Sequence, residues 1–530
     1  MKFLNFSGNL IFILPVFSSV LLILSYPPSY SRWLIFFALI PLLIFLEKAS
    51  KKQAFWGSFV FGFIFLGWTM SWIFTVLPLD WAGVENPLLG MSMVAIVWLL
   101  SILTLSFFVG MFGFFGSVTS PLWRVLTIPS LWILFEYTRA FAFGVFTMGS
   151  ESLLGPHWTL GALGYALSNF PVFLQFSKLF GLYGMSFLVV VINLAFFFLL
   201  FKRKRVHILQ VGFFGVIMMS LIWYGTFQFS LNQEVLEEKK VALVQTDFIF
   251  GTTSSFEQQR KRKISEELLR NASQFSPELV VLPESSPIPN EYGKNLPRLF
   301  SDVFGNEKSQ TIIANQKIIK GRPSPARIFF YDTKKGLIAV KDKKLLIPGG
   351  EHLPYLIELP MRLFGFDKSI AQFNSRRARL KGENVPIAAL DSQKRPEGIL
   401  LCSTVFAPSL WRELTLESTQ IFVNIANLSL FQHSPLLIGQ IESQIKFFAA
   451  SHDRWFLQSA NGGFSYIIDN KGVVREKSNS FGNTVLIGEV EYRQTITPFS
   501  RTGDWPVMAA FLFLVALPKR MWQIRKAVFP

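Results

Sequence analysis

Apolar runs long enough to leave water crowd into the first 231 of the 530 residues, and they decide what this chain can fold into. They fall at about 10 to 26, 32 to 47, 54 to 79, 88 to 116, 122 to 143, 179 to 201 and 207 to 229. Most reach the ~20 residues that a helix needs to cross a hydrocarbon core, the first two being marginal. The first run follows Lys2 and looks like a signal peptide, but more runs follow and no clear small-residue cleavage site ends it, so it reads as a span. A hydrophobic fraction of 51 %, with 58 Phe and 16 % charged residues, is too high for a soluble enzyme of this size. It fits a polytopic α-helical membrane domain joined to an ordinary soluble part.

Lysine and arginine near span ends favour the cytoplasmic side, which gives the spans a direction. Lys48, Lys51 and Lys52 follow the second run, Arg124 follows the fourth, and Lys202-Arg203-Lys204-Arg205 follows the sixth. Lys519, Arg520, Arg525 and Lys526 lie near the C-terminus. All fall on one side if the N-terminus is cytoplasmic, whereas the opposite loop at 77–87 carries Asp80 and Glu85. Seven crossings then place the chain after about residue 230 outside the cytoplasm. Topology therefore accounts for basic clusters within the formal charge of +17, and no nucleic-acid module is visible to suggest that partner. A final apolar run at 505–517 returns the chain to the membrane; it is short for a span, but the basic residues after it can snorkel to the interface. The expected organisation is a membrane domain of about seven transmembrane helices over 1–231, an exported domain over 232–504, and a C-terminal transmembrane helix with a basic cytoplasmic tail over 505–530.

The exported part alternates short β-rich runs with amphipathic or polar stretches and reads as an α/β domain. Val241-Ala242-Leu243-Val244-Gln245 and Leu279-Val280-Val281-Leu282 are expected strands, with 255–273 a polar helix between them. Further strands are expected at 311–314, 328–331, 387–390, 399–402, 421–425 and 466–468.

Cys402, at the end of one such run, is the only cysteine in the sequence. A single thiol excludes an intramolecular disulfide and any multi-cysteine zinc site. His157, His207, His352, His433 and His452 are scattered without a metal-binding spacing, so neither a metal nor a cofactor is expected. Three stretches of the exported part place a reactive group beside an expected strand or tight turn. They are Leu282-Pro283-Glu284, the run Lys343-Lys344-Leu345-Leu346-Ile347-Pro348-Gly349-Gly350-Glu351, and Leu400-Leu401-Cys402. A carboxylate, an ammonium group and a thiol suffice for nucleophilic catalysis, because the carboxylate takes the thiol proton and the ammonium steadies an oxyanion. Spacing does not choose among Lys341, Lys343 and Lys344. In the membrane part, Glu136 and Arg139 share a helix face three residues apart, either as a functional or lipid-facing group or as a self-neutralising structural pair.

The sequence resembles bacterial apolipoprotein N-acyltransferases, whose exported domain belongs to the nitrilase (carbon-nitrogen hydrolase) superfamily. The markers are Val244-Gln245, Leu282-Pro283-Glu284-Ser285, Leu346-Ile347-Pro348-Gly349-Gly350-Glu351, and Thr497-Pro498-Phe499-Ser500-Arg501-Thr502-Gly503-Asp504-Trp505-Pro506, with weaker support from Ala460-Asn461-Gly462-Gly463-Phe464-Ser465. The resemblance implies a nitrilase-like αββα sandwich for 232–504 and places the lysine at Lys343. It makes Glu284 the general base, Lys343 the oxyanion stabiliser, Cys402 the nucleophile and Glu351 a supporting carboxylate.

It further implies a monomer in the bacterial inner membrane, with the catalytic domain on the periplasmic or outer side. Its partners would be a membrane phospholipid acyl donor and a diacylglyceryl apolipoprotein acceptor. A membrane-anchored amidase and a catalytically silent lipid- or lipoprotein-binding relative are the alternatives. Three positions depart from the family pattern. Ser403-Thr404 replace Tyr-Glu after the cysteine, Asn427-Leu428-Ser429-Leu430-Phe431 replaces Asn-Asp-Ala-Trp-Phe, and Gly349 replaces a Phe. The apolar stretches 353–366 and 428–438 are expected either as arms touching lipid or as core packing.

Overall fold

The computed structural model describes residues 11–29, 31–119, 123–201, 205–231, 234–251, 254–305, 310–316, 324–376, 378–380, 382, 396–479 and 481–517. Lys2, Lys202 to Lys204, the strand expected at 387–390 and the basic residues Lys519, Arg520, Arg525 and Lys526 lie outside the described residues.

Helices Ile13–Ser25, Ile40–Lys48, Lys51–Thr69, Pro87–Ser117, Arg124–Phe146, Ser177–Phe201 and Arg205–Ser230 occupy the places of the apolar runs. Among the described residues, the stretches Lys51–Val76, Pro87–Ser117 and Ser177–Phe201 are long and apolar enough to cross a membrane, and Ile13–Ser25 and Trp505–Ala516 are shorter apolar helices. Their burial is asymmetric in the manner of a protein solvated by lipid. On Pro87–Ser117, Ile102, Leu105, Val109 and Phe112 pack inward while Leu88, Met91, Ile96, Leu100 and Phe107 are exposed. Such a stripe of large apolar side chains marks a surface that water does not cover. Glu136 and Arg139 face inward and are buried, 3.7 Å apart. Trp132 Nε1 and the Leu163 N–H donate to Glu136 Oε1, and Arg139 Nη2 donates to the Gly161 carbonyl, so the pair serves packing between helices and not a lipid-facing role.

The remainder is an α/β domain with thirteen strands among the described residues. These are β1 (Glu237–Gln245), β2 (Leu279–Val281), β3 (Thr311–Gln316), β4 (Ser324–Pro325), β5 (Arg327–Asp332), β6 (Gly336–Asp342), β7 (Arg379–Leu380), β8 (Glu397–Leu401), β9 (Ile421–Asn427), β10 (Trp455–Asn461), β11 (Tyr466–Ile468), β12 (Val474–Lys477) and β13 (Thr484–Tyr492). One sheet has the order β13-β1-β2-β3-β5-β6, a second β12-β11-β10-β9-β8, and β4 pairs with β7 apart from both. Side chains alternate across each strand, so one face of each sheet meets the other. Val241, Leu243, Val281 and Ile313 of the first pack against Ile421, Val423, Ile425 and Leu457 of the second. The opposite face of the first, with Ala242, Val244, Val280 and Ile312, packs on Leu268, Leu269 and Ala272 of the helix Ser255–Ser273. The outer face of the second is aromatic, with Trp411 of the helix Pro408–Leu416 lying 4.8 Å from Phe422 and 5.4 Å from Phe456 between ring centroids. The helix Pro435–His452 completes this layer, giving a four-layer αββα sandwich.

That last layer is also the seat on the membrane helices. Lys178 Nζ donates to Asp453 Oδ1 at 2.6 Å with both side chains buried, and Phe447 and Phe448 pack on Tyr165. The motif before the C-terminal helix inserts Phe499 at Gly181, whose φ of 58° breaks the helix Ser177–Phe201 and where a Cβ would stand 2.1 Å from the Phe499 ring. The apolar stretch 428–438 is core, with Leu428, Leu437 and Ile438 buried, whereas Leu356, Leu359, Leu363, Phe364 and Phe366 on and after the helix Tyr355–Leu363 are exposed.

Candidate active site

Two sharp turns at strand ends place the thiol and one carboxylate. Cys402 does not belong to the strand expected at 399–402; it follows β8 and opens a 3-10 turn, Cys402–Phe406, with a φ of 50°. A non-glycine residue in that region is strained and needs its surroundings to hold it. Here Asn424 of β9 does so, accepting the Cys402 N–H at 2.9 Å while its own amide donates to Gln458 of β10. Glu284 lies just past β2 in a similar corner, for Ser285 has a φ of 66° and donates its N–H to Asn315 Oδ1 at 3.2 Å. The thiol donates to the Asn427 carbonyl oxygen at 3.9 Å, and the Glu284 carboxylate lies close enough for its charge to act on the thiol.

The lysine comes from the opposite side. Lys343 leaves the end of β6, donates its N–H to the Ala326 carbonyl, and is carried inward by buried Leu345 and Leu346. The chain then reverses through Pro348-Gly349-Gly350, where the φ of 73° at Gly349 needs a glycine, and the reversal swings Glu351 beneath the ammonium. Lys343 Nζ donates to both Glu351 oxygens, at 2.9 and 2.7 Å, and the Ile347 N–H donates to Oε2 at 2.9 Å. Lys343 has no exposed side-chain surface. Lys341 is on β6 itself and Lys344 pairs with Glu413, so Lys343 is the lysine at the thiol.

The electrostatics follow from burial. Desolvation pushes the Cys402 thiol up, the Glu284 charge adds to this, and Lys343 opposes it without winning. Desolvation likewise raises the Glu284 carboxyl, against the pull of Lys343. For Lys343, burial works to lower the ammonium, but Glu351 and then the charges of Cys402 and Glu284 outweigh it, and the group is raised. The resting pattern is therefore a neutral thiol, a carboxyl with raised proton affinity and a fixed ammonium. Such a set can move one proton and stabilise one developing negative charge.

The site adjoins the end of the helix Arg124–Phe146. His352 Nε2 donates to the Thr147 carbonyl at 3.1 Å and the Tyr355 N–H to the Met148 carbonyl at 2.8 Å, tying the Glu351 turn to the end of the helix Arg124–Phe146. Trp158 donates its N–H to Phe406 O and stacks on that ring at 4.9 Å, bracing the turn that carries Cys402.

Residues 18–195 match the apolipoprotein N-acyltransferase N-terminal domain family. An apolipoprotein N-acyltransferase of Geobacter metallireducens is 27 % identical over 540 residues, covering 96 % of this chain and 95 % of that protein. Another, of Thermotoga maritima, is 24 % identical over 507 residues, covering 93 % and 90 %. The chain is a relative of the apolipoprotein N-acyltransferases. An amidase of the nitrilase superfamily from Nesterenkonia aligns in space at a TM-score of 0.34 and 13 % identity, covering 54 % of this chain and 100 % of that one.

Against that family the two residues after Cys402 gain a structural explanation. Ser403 is buried and donates Oγ to the Leu345 carbonyl at 2.9 Å, and Thr404 is buried as well. Both are turned into the protein, where Ser403 fixes the backbone two residues after Lys343. Among the described residues, the carboxylates acting on the thiol are Glu284 and Glu351. Sequence reasoning missed Asn424 and Arg379. Asn424 sits within a run where every neighbour is apolar or buried, and a buried polar residue in such a run is the signal that was available.

Proposed function

We propose that the chain transfers an acyl group from a membrane phospholipid to the amino group of the N-terminal diacylglyceryl-cysteine of apolipoproteins, through a thioester on Cys402. The observation that carries this reading is the convergence of the thiol, Glu284 and the Lys343–Glu351 pair at the edge of the sandwich that meets the membrane helices. A bilayer-bound donor and a lipid-anchored acceptor would reach such a site without leaving the membrane.

In the first step Sγ attacks the ester carbonyl carbon while Glu284 takes the thiol proton. Two ammonium hydrogens of Lys343 are held by Glu351, which leaves the third for the oxyanion of the tetrahedral intermediate. The carbon–oxygen bond breaks, the lysophospholipid oxygen takes the proton from Glu284, and the acyl group stays on sulfur. The acceptor nitrogen then attacks the thioester; a carbon–nitrogen bond forms, the carbon–sulfur bond breaks, and an amine proton passes through Glu284 to restore the thiol. The chain would act as a monomer in the bacterial inner membrane, with about seven spans before the α/β domain and that domain on the periplasmic or outer side.

The test uses purified protein with labelled phospholipid and a diacylglyceryl lipopeptide, read by mass spectrometry. An acyl adduct on Cys402 and an N-acylated peptide are expected, and neither in Cys402→Ala. An adduct with free fatty acid as the sole product would favour the amidase reading. No adduct, with lipid binding unchanged in Cys402→Ala, would favour a silent relative.

A further inference from the structure

Arg379 is a cation beside Glu351 and Glu284 that the reaction above leaves unused. It lies on β7, in a strap laid across the Lys343–Glu351 segment by two backbone hydrogen bonds, from the Arg379 N–H to Glu351 O at 2.8 Å and from the Gly382 N–H to Lys343 O at 2.9 Å. Its charge acts on both Glu351 and Glu284, yet among the described residues it forms no ion pair with either. Its Nη1 is buried and has no hydrogen-bond partner among the described residues. A guanidinium nitrogen withdrawn from water and given no acceptor is an incomplete interaction, and a ligand that supplies the acceptor completes it.

We propose that Arg379 binds the phosphodiester of the phospholipid acyl donor and so selects the donor over other acyl esters. This rests on the acyltransfer reading of the site and names one of its recognition groups. Of the two substrates, the donor carries the anion, and the acceptor arrives with an amino group that a guanidinium repels. Planar N–H groups match phosphate oxygens, and Lys343, bound to Glu351 through two hydrogens, is committed to the carbonyl.

The test measures the initial rate of Cys402 acylation by intact mass, in one detergent, with phosphatidylethanolamine and with p-nitrophenyl palmitate, which has no phosphate. Wild type, Arg379→Ala and Arg379→Lys are compared, with Arg379→Gln as a variant of similar bulk and melting curves to verify the fold. Arg379→Ala is expected to raise the KM for the phospholipid about tenfold or more, as for loss of a charge-assisted pair, and to leave the phosphate-free ester unchanged, with partial recovery in Arg379→Lys. An equal fall with both esters in Arg379→Ala and Arg379→Gln would overturn the proposal by placing Arg379 at the carboxylates, and so would no fall with either. Inorganic phosphate that slows the wild-type but not the Arg379→Ala reaction, with the KM for phospholipid the same in both, would assign the group to a free anion and overturn the proposal. If wild type is acylated by neither ester, the acyltransfer reading fails first.

Discussion

Glu351 is the residue whose loss should do most damage for its size. It satisfies an ammonium with no exposed surface, and breaking a buried pair from one side costs about 3–5 kcal/mol because the remaining charge is stranded. Glu351→Ala should therefore lower the melting temperature in detergent by several degrees, of the order expected from that cost, and abolish acylation; an unchanged melt with a normal rate would contradict the pairing. Glu284 and Cys402 make a second prediction, about pH. Burial raises both groups, so at neutral pH sulfur holds its proton, and Glu284 loses its base form as pH falls through a value above the ~4.3 of an exposed glutamate. The acylation rate should rise with pH along that limb, and iodoacetamide should label Cys402 slowly. Glu284→Gln should remove the limb and slow acylation by about 10²-fold or more. A limb at the ordinary carboxylate position would show that burial does not govern Glu284. Glu284, Cys402 and the 343–351 segment stood out as candidates because each lies next to a buried strand or a glycine turn, whereas the choice of Lys343 over Lys341 and Lys344 came from the family resemblance. Arg379 did not stand out, since it lies in a basic run and its place depends on the backbone of Lys343 and Glu351.

Among the elements, the helix at 255–273 and the strands through Val241, Leu279, Thr311, Ile328, Ile421 and Tyr466 follow the expected positions, because each is a compact apolar or amphipathic run. β6, β10, β12 and β13 escaped. β10 is buried at every residue, but Gln458, Ser459 and Asn461 interrupt its apolar signal, and their polar groups are satisfied by Phe464 O, Val244 O and Phe248 O. β12 and β13 are edge strands with much exposed surface, where little apolar alternation is required. The junction of the helix Ser177–Phe201 with the motif at 497–506 was legible as a motif but not as a contact. Gly181→Ala there meets both a left-handed backbone and the Phe499 ring. It should cost roughly 1–3 kcal/mol from backbone strain alone, read as a lower melting temperature, with part regained in the Gly181→Ala/Phe499→Ala double variant, which relieves the ring clash only. A wild-type melt for Gly181→Ala would mean that Phe499 does not seat there.

For the whole molecule the decisive property is direction. The αββα domain rests on the helices through buried groups, Lys178 with Asp453 and His352 with Thr147, so one topology fixes the side on which the thiol lies. In the proposed topology the positive charges around Lys48, Lys51 and Lys52 face the cytoplasm, and an odd number of crossings would put the α/β domain outside. The single cysteine makes this measurable, because Cys402→Ser leaves a chain with no other thiol. In that background Lys335→Cys, at an exposed turn between β5 and β6, should react with a membrane-impermeant maleimide in intact spheroplasts. Lys52→Cys, exposed at the start of the helix Lys51–Thr69, should react only after the membrane is opened. The reverse pattern would place the α/β domain in the cytoplasm. Labelling of both sites in intact spheroplasts would require an even number of crossings between residues 52 and 335. The reverse pattern would remove the acceptor from reach, since a lipoprotein anchored on the outer face meets the thiol only if both lie on the same side.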